Sequence, residues 1–279
     1  MAARSRGRAI VVVVVLAAAA VAGITAKALW NTAKSHFTSD SCSIGAYDLD
    51  TAQTAVAATM VAAVTSHNNP TLPRRAAVLA LAAGLQESKL RNLPPGAGDR
   101  DSVGVLQQRP SQGWGGGDVQ NLQDVFKATT EFLDHLVEVA NWQRLPLATA
   151  IQAVQNSADE SAYAKHEAEA STLADAMLGV KAKAVSCSFA KPTAVAPAAT
   201  VADRLSAELP VRTPSVAAGR ITVPGAKWQT VAWLVAYADR LGIDRVAYAG
   251  NEWTRAHGWH TSKTATARAV TATMATVKK

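Results

Sequence analysis

Glu87 is the residue of this sequence whose type and surroundings best suit acid–base chemistry. It lies near the end of a segment, residues 74–89, that is apolar on almost every face of a predicted helix. Burial among apolar side chains favours the neutral form of a carboxyl group and raises its pKa. A glutamic acid that keeps its proton near neutral pH can act as a general acid. The alternative interpretation is an ordinary glutamate at the exposed end of a helix.

The neighbours of Glu87 in sequence decide whether its pKa can be raised. Leu81, Leu85 and Leu90 flank it and can supply an apolar wall. Lys89 lies two residues away, a spacing that should point its side chain elsewhere on a helix. If Lys89 did approach the carboxyl group, it would lower the pKa and weaken the acid.

Further polar candidates lie in the loop that follows the helix. Asp99 and Asp101 occur among glycine and serine, where aspartates are also ordinary turn residues. Gln107 and Gln108 come after a turn at Gly104, and their amides can bond the N-acetyl and hydroxyl groups of amino sugars. The loop therefore offers both acids and neutral hydrogen-bonding groups.

The order of these residues resembles the lysozyme-like domain of lytic transglycosylases and goose-type lysozymes. That family has Glu-Ser near a helix end and, after a loop, a Gly-Leu-Met-Gln-like segment; here Glu87-Ser88 and Gly104-Val-Leu-Gln107 stand in those places. The resemblance covers about half the chain. It implies cleavage of β-1,4 glycosidic bonds in peptidoglycan glycan strands, with Glu87 as general acid/base and with neither cofactor nor metal.

The resemblance also implies a set of substrate-binding residues. The family's Ala-Tyr-Asn-Ala-Gly motif, with a tyrosine after it, corresponds here to Ala153-Val-Gln-Asn156-Ser-Ala158 followed by Tyr163, so the motif tyrosine is replaced by Val154 or Gln155. Goose-type enzymes keep an aspartate near Asp101, which makes that residue a possible second acid. The expected substrate-binding residues are Ser102, Gln107, Gln108, Asn156 and Tyr163.

Two reaction outcomes remain open at this point. A hydrolase usually has a second carboxylate that activates water or forms a covalent intermediate. A lytic transglycosylase, as the resemblance implies, uses one glutamate as acid and then as base while the muramoyl 6-hydroxyl closes a 1,6-anhydro ring. Trp114, in a glycine-rich segment, can stack on a sugar face or pack within its loop.

The amino terminus has the pattern of an export signal. Arg4, Arg6 and Arg8 precede an apolar stretch, residues 10–24, with no acidic residue. We predict that residues 1–30 form a signal anchor, which would make a single-pass cell-membrane protein with extracytoplasmic domains. The alternative is a cleaved signal and a secreted protein.

Export is consistent with the two cysteines of the chain. Cys42 and Cys187 bracket the first predicted domain, and outside the cytosol such a pair is expected to form a disulfide. The alternative is two free buried thiols.

The charge balance argues against nucleic acid as a partner. The net charge is +7, but residues 1–30 contain four of the 28 basic residues and none of the 21 acidic ones, so the remainder carries only +3. We find no basic stripe interleaved with aromatic residues. A mildly positive surface is compatible with an anionic cell-wall polymer.

The chain divides by composition into four parts. Residues 40–188 carry several amphipathic helical patterns, one of them starting at Asp118, and predict an all-α lysozyme-like domain. Residues 189–219, rich in proline and alanine, predict a linker. Residues 220–279 predict a small α/β domain, with a helix over 228–241, a strand over 243–248 and a return strand over 252–254. With the anchor at 1–30, the expected fold class is mainly α.

The carboxy-terminal part resembles the end of actinobacterial wall-associated domains that are distantly similar to metal-dependent D,D-peptidases. Those peptidases hold zinc with a His…Asp pair and a later His-x-His. This chain has His257 and His260 but no such set, so the domain is expected to be catalytically empty. It would serve either in binding or as an accessory fold.

A second class of function stays open beside the enzyme. The chain can be a non-catalytic wall-binding or scaffold protein of a conjugation or secretion apparatus, since such machines carry anchored wall proteins. The intact pair of Glu87 and Gln107 favours the enzyme, because a scaffold would not need it.

Overall fold

The computed structural model describes residues 40–68, 72–156, 160–192 and 194–276. The predicted anchor, residues 1–30, lies outside these ranges. Within them, no helix combines the length and the hydrophobicity needed to cross a membrane.

Two helices with few polar side chains form the centre of the amino-terminal region. Helix α1, Thr51–Ser66, begins at Asp50, whose carboxylate accepts from the Gln53 amide at 2.8 Å while the Gln53 side chain accepts from the Asp50 amide. This reciprocal capping box satisfies amide groups at the start of the helix. Helix α2, Arg74–Ser88, is buried from Ala76 to Leu85 because alanine and leucine occupy nearly all its faces.

Shorter helices surround this pair. The predicted helix starting at Asp118 is divided in two, because Asp118 caps the first piece and Asp124 caps the second with its own side chain. Three 3-10 turns complete the region, at Pro110–Gln112, Trp114–Gly117 and Glu160–His166. The helices are α3 (Val119–Gln123), α4 (Val125–Glu138), α5 (Leu147–Gln155) and α6 (Glu167–Met177).

A small antiparallel sheet joins the two ends of the amino-terminal region. Its strands are β1 (Ser41–Ile44), β2 (Tyr47–Asp50) and β3 (Val185–Ser188), in the order β2-β1-β3. Cys42 lies opposite Cys187 in the β1–β3 register, and the two form a disulfide with a Cα–Cα distance of 4.0 Å. The predicted disulfide is thus confirmed.

The carboxy-terminal region is built on a second antiparallel sheet of six strands, in the order β4-β5-β9-β6-β7-β8. The predicted strand over 243–248 and the helical stretch ending at Gly242 are confirmed, the latter as two helices. The strands are β4 (Ser215–Ala217), β5 (Arg220–Pro224), β6 (Ile243–Tyr248), β7 (Asn251–Thr254), β8 (Gly258–Thr261) and β9 (Ala269–Met274), and the helices are α7 (Ala198–Glu208), α8 (Trp228–Ala236) and α9 (Ala238–Leu241).

The two regions share one core. The indole of Trp253 donates to the carbonyl of Cys187 at 2.9 Å, and that of Trp259 donates to the carbonyl of Val185 at 2.8 Å. The segment 189–219, predicted as a linker, contains α7, which buries Val201 completely. Residues 40–279 accordingly form one compact unit.

The expected fold class, mainly α, is wrong. Helices make up about 47% of the described residues and strands about 19%, with two antiparallel sheets of three and six strands. The small sheet was not predicted, because each of its strands has four residues, too few to establish an alternation of apolar and polar side chains. In the carboxy-terminal region the error was one of extent, since one strand and one return were expected where six strands form.

Candidate functional site

Glu87 is the second-last residue of α2 and lies half-buried at the edge of a groove of about 340 Å³. Leu81, Leu85 and Leu90, the residues predicted to form an apolar wall, are all buried. Lys89 adopts the left-handed conformation that ends the helix, with φ 56°, and is exposed. It is therefore directed away, and it is not among the groups that shift the pKa of Glu87.

Burial raises the pKa of the Glu87 carboxyl above its ordinary value. Two neutral groups oppose this shift by hydrogen bonding to the carboxylate: the phenol of Tyr163 and the side-chain amide of Gln155. The Tyr163 hydroxyl donates to Glu87 Oε1 at 2.5 Å, and its ring is fully buried. Because neither donor carries a charge, the carboxyl group is held in position and still has a raised pKa.

Ser88 links the Glu87-Ser88 pair to the Gly104–Gln107 segment by a hydrogen bond. Its buried hydroxyl donates to the carbonyl of Val105 at 2.7 Å and accepts from the amide of Arg91. Gly104 has a φ of 79°, and a Cβ there would lie 2.3 Å from the carbonyl oxygen of Leu122, so only glycine fits. The end of α2 and the following turn are thus fixed against each other.

Amide side chains dominate the lining of the groove. An amide can donate and accept at once without adding charge, which suits the mixed hydroxyl and N-acetyl groups of amino sugars. The lining comprises Glu87, Asp99, Arg100, Gln107, Gln108, Arg109, Gln112, Trp114, Gln155 and Asn156.

The two adjacent glutamines differ in how their amides are used. Gln107, with φ 49°, donates from Nε2 to the carbonyl of Gly104 at 2.9 Å. Gln108 is only 3% exposed and donates to the carbonyl of Ala128 at 3.4 Å, but its Oε1 is buried without a hydrogen-bond partner among the described residues. This oxygen is shielded from solvent, so it does not face the open part of the groove.

Asp101 has a different environment from the one a second acid requires. Its oxygens accept from Arg109 Nε at 2.6 Å and from the Ser111 amide at 2.9 Å. Hydrogen bonds from Ser111 and Arg109 hold the pKa of Asp101 far below its ordinary value. This carboxylate fastens the loop, and it does not line the groove as its neighbour Asp99 does.

Of the remaining predicted site residues, one lines the groove and one does not. Asn156 lines the groove, in the left-handed conformation that ends α5. Ser102 is 8% exposed and is not part of the lining. The arginines of the lining are paired, Arg109 with Asp101 and Arg100 with Asp99 at 3.7 Å.

Trp114 lines the groove from a glycine-rich turn. Its ring meets that of His135 edge-on, with centroids 4.7 Å apart, and remains partly exposed. The amide of Gly115 donates to both oxygens of Glu131, which anchors the turn to α4. The tryptophan therefore packs on one side and presents a ring edge and face to the groove.

Gln155 is the residue of this site that the sequence did not single out. Its Nε2 donates to the carbonyl of Leu106 at 2.8 Å, and its side chain also bonds the Glu87 carboxylate. The available signal was its place in the motif 153–157, where the resembling family has tyrosine. Recognising it required knowing that the end of α5 reaches the end of α2.

The site has no evident place for a metal ion. Among the described residues, no group of three histidine, cysteine, aspartate or glutamate side chains is arranged to hold one.

No protein-family model matches the chain, and no curated protein matches it significantly. The resemblance to lysozyme-like enzymes consequently rests on the motif residues.

Proposed function

We propose that this chain cleaves β-1,4 glycosidic bonds in the glycan strands of peptidoglycan, as a lytic transglycosylase or muramidase. The observation that carries the proposal is the environment of Glu87: a half-buried carboxyl group with a raised pKa, at a groove, bonded by neutral donors from Tyr163 and Gln155. Such a carboxyl group keeps its proton to a higher pH than an ordinary glutamic acid does, which suits a general acid that faces a groove.

The reaction begins with the protonated carboxyl of Glu87. It donates its proton to the glycosidic oxygen while the bond from that oxygen to the anomeric carbon breaks, leaving an oxocarbenium-like centre and a free hydroxyl on the departing sugar. The carboxylate that remains is stabilised by the hydrogen bond from Tyr163. It then acts as base and takes a proton from the incoming nucleophile.

The nucleophile determines the product. If it is the muramoyl 6-hydroxyl, a 1,6-anhydro ring closes; if it is water, a reducing end forms. We favour the anhydro product, because Asp99, the other carboxylate that lines the groove among the described residues, is 89% exposed and lacks a fixed position.

The groove lining supports an amino-sugar substrate. Gln112 and Asn156, which line the groove, offer neutral donors and acceptors for the N-acetyl and hydroxyl groups of such a substrate. Trp114 offers an aromatic surface to a sugar ring. These features account for binding without a fixed charge on the ligand.

The cellular setting we propose is extracytoplasmic. The Cys42–Cys187 disulfide supports an oxidising compartment, and the basic and apolar pattern of residues 1–30 supports anchoring in the cell membrane. Wall opening for conjugation or secretion machinery is the process that an anchored enzyme of this kind would serve.

The test is digestion of purified sacculi by the full-length protein and by Glu87→Gln. We expect the variant to release at least about a hundredfold less soluble muropeptide, the usual scale for loss of a general acid. Mass spectrometry of the wild-type products separates the two outcomes, because anhydro ends are lighter by about 18 Da, the mass of one water not added across the bond.

The matched control is Glu138→Gln, which makes the same change at a helix-end glutamate that is 79% exposed. It should digest sacculi like the wild type. If Glu87→Gln kept its activity, the enzymatic proposal would be excluded. If wild type and variant both bound sacculi without releasing product, the wall-binding scaffold would be the better description.

A further inference from the structure

A second and larger cleft, of about 790 Å³, lies where the carboxy-terminal region packs against the helical region. Val56 and Thr59 of α1 and the start of α4 form one side, while Arg204 and Tyr237 form the other. Its volume is within the usual range for small-molecule sites. The cleft shares no lining residue with the Glu87 groove.

The floor of this cleft is a closed hydrogen-bond network around Glu208, which is 7% exposed. Its carboxylate accepts from Thr59 Oγ1 at 2.9 Å, from the indole of Trp233 at 2.8 Å and from Arg204 Nε at 2.9 Å. The hydroxyl of Tyr237 bonds Thr59 and accepts from Arg204. The carboxylate of Glu208 therefore already has three hydrogen-bond donors within the protein.

Arg204 is held rigidly by this network. Its Nε donates to Glu208, its Nη2 donates to the Tyr237 hydroxyl at 2.6 Å, and its guanidinium lies 4.3 Å from the centroid of the Tyr237 ring. Its Nη1 has no acceptor among the described residues, and the side chain is 42% exposed. A guanidinium fixed on one edge and open on the other is preorganised to bind a carboxylate or phosphate.

Two more cations line the same cleft. Arg240 is exposed and makes no ion pair or hydrogen bond with any described residue, although it lies near enough to Tyr237 to affect the pKa of that phenol. Lys127 donates to the neutral amide oxygen of Asn121 at 3.1 Å. The acids of the lining are engaged elsewhere, Glu208 in its network and Asp124 in capping α4.

We propose that this cleft binds an anionic ligand through a terminal oxyanion, a carboxylate or a phosphate, held between Arg204, Arg240 and Lys127. The excess positive charge is local, and its central guanidinium is already oriented, so little conformational entropy is lost on binding. The site exists only because α7–α9 pack on the helical region. This gives the carboxy-terminal region a binding role separate from the Glu87 groove.

The experiment is calorimetric titration of the full-length protein in detergent, at low and constant ionic strength. The probes are inorganic phosphate and alanylalanine with its free carboxyl terminus. We expect saturable binding of at least one probe. Binding of phosphate alone identifies a phosphate ligand, and binding of the dipeptide alone identifies a carboxylate ligand.

Variants locate the binding site. Arg240→Gln and Lys127→Gln should each weaken binding by about fivefold or more, because each removes a charged donor without touching the Glu208 network. Arg220→Gln, an exposed arginine of β5 outside the cleft, is the matched control and should bind as the wild type does. Glu87→Gln should also bind normally, which separates this site from the enzymatic proposal.

Two results would overturn the inference. One is the absence of saturation with either probe. The other is equal binding by Arg240→Gln, Lys127→Gln and Arg220→Gln, which would show that any affinity is a general effect of surface charge.

Discussion

Glu87 and Glu208 are both carboxylates removed from bulk water, in two clefts of one compact unit, and their partners differ in charge. Glu208 has a guanidinium, from Arg204, in addition to the neutral donors Thr59 and Trp233. Glu87 has only neutral donors, Tyr163 and Gln155. A cation beside a carboxylate forms an ion pair with it, whereas neutral donors only orient the carboxyl group, and burial raises the pKa of Glu87 in spite of them.

If the proposed function is correct, this difference separates a structural acid, Glu208, from a catalytic acid, Glu87. Glu208 gathers donors from α1, α7 and α8 and so joins the two regions of the chain. Glu87 receives donors from α5 and from the turn that carries Tyr163, but it stays open to the groove. Burial alone would not distinguish the two residues; the charge of the partners does.

The largest expected effect is loss of stability in Glu208→Gln. The substituted amide group cannot accept from every donor that surrounds it, and the charge of Arg204 loses its partner. We expect the free energy of unfolding to fall by roughly 2–4 kcal/mol, measured by urea denaturation. Glu138→Gln should change it by no more than about 0.5 kcal/mol. A loss below about 1 kcal/mol for Glu208→Gln would contradict the structural role.

The same substitution at Glu87 should act in the opposite direction. Because its pKa in the folded protein is above the ordinary value of 4.5, the folded state favours the protonated form. Stability is therefore full below the unfolded-state pKa and declines as the pH rises through the folded pKa. Glu87→Gln, which is neutral at every pH, should gain roughly 0.5–2 kcal/mol at pH 7–8, the scale of single stabilising changes.

Thermal unfolding across pH measures this second effect. The melting temperature of Glu87→Gln should exceed that of the wild type at neutral pH, and the difference should disappear near pH 4, where both side chains are uncharged. A variant less stable than the wild type at pH 7–8 would show that the Glu87 carboxylate is stabilising, as Glu208 is.

Tyr163→Phe tests the neutral donor. Removing the phenol takes away a hydrogen bond that favours the carboxylate, so the pKa of Glu87 should rise further. Activity that needs protonated Glu87 is lost as pH rises through this pKa, so the descending limb of the pH–rate profile should move to higher pH. We expect about a tenfold lower rate at the optimum, because the carboxylate product of proton donation is less stabilised. An unmoved limb would mean that Tyr163 acts only in packing.

Local sequence was sufficient for features that depend on neighbours along one element. The burial of the leucines that flank Glu87, the strand over 243–248 and the end of a helix at Gly242 all follow from residue order within one segment. The Cys42–Cys187 disulfide was also predictable, because there are only two cysteines and they bracket one region.

Features that depend on contacts between distant segments were not predictable. The small sheet pairs β1 with β3, and the two cysteines that face each other in these strands are 145 residues apart in sequence. The bond between Gln155 and Glu87 requires the packing of α5 on α2. The role of Asp101 depended on which way its loop folds, and the pairing with Arg109 and Ser111 turns it from the groove.

The smallest expected effect concerns Asp99, the aspartate that lines the groove in place of Asp101. Its side chain is 89% exposed and its nearest cation, Arg100, lies at 3.7 Å, so it lacks the fixed position that a nucleophile or water-activating base needs. If Glu87 alone carries the proton transfers, Asp99→Asn should reduce the release of muropeptides by no more than about threefold, well below the effect of losing a general acid.

Arg100→Gln, which removes the partner but keeps the aspartate, is the matched control and should behave similarly. A loss of a hundredfold or more in Asp99→Asn, with reducing rather than anhydro ends among the wild-type products, would make Asp99 the second catalytic carboxylate.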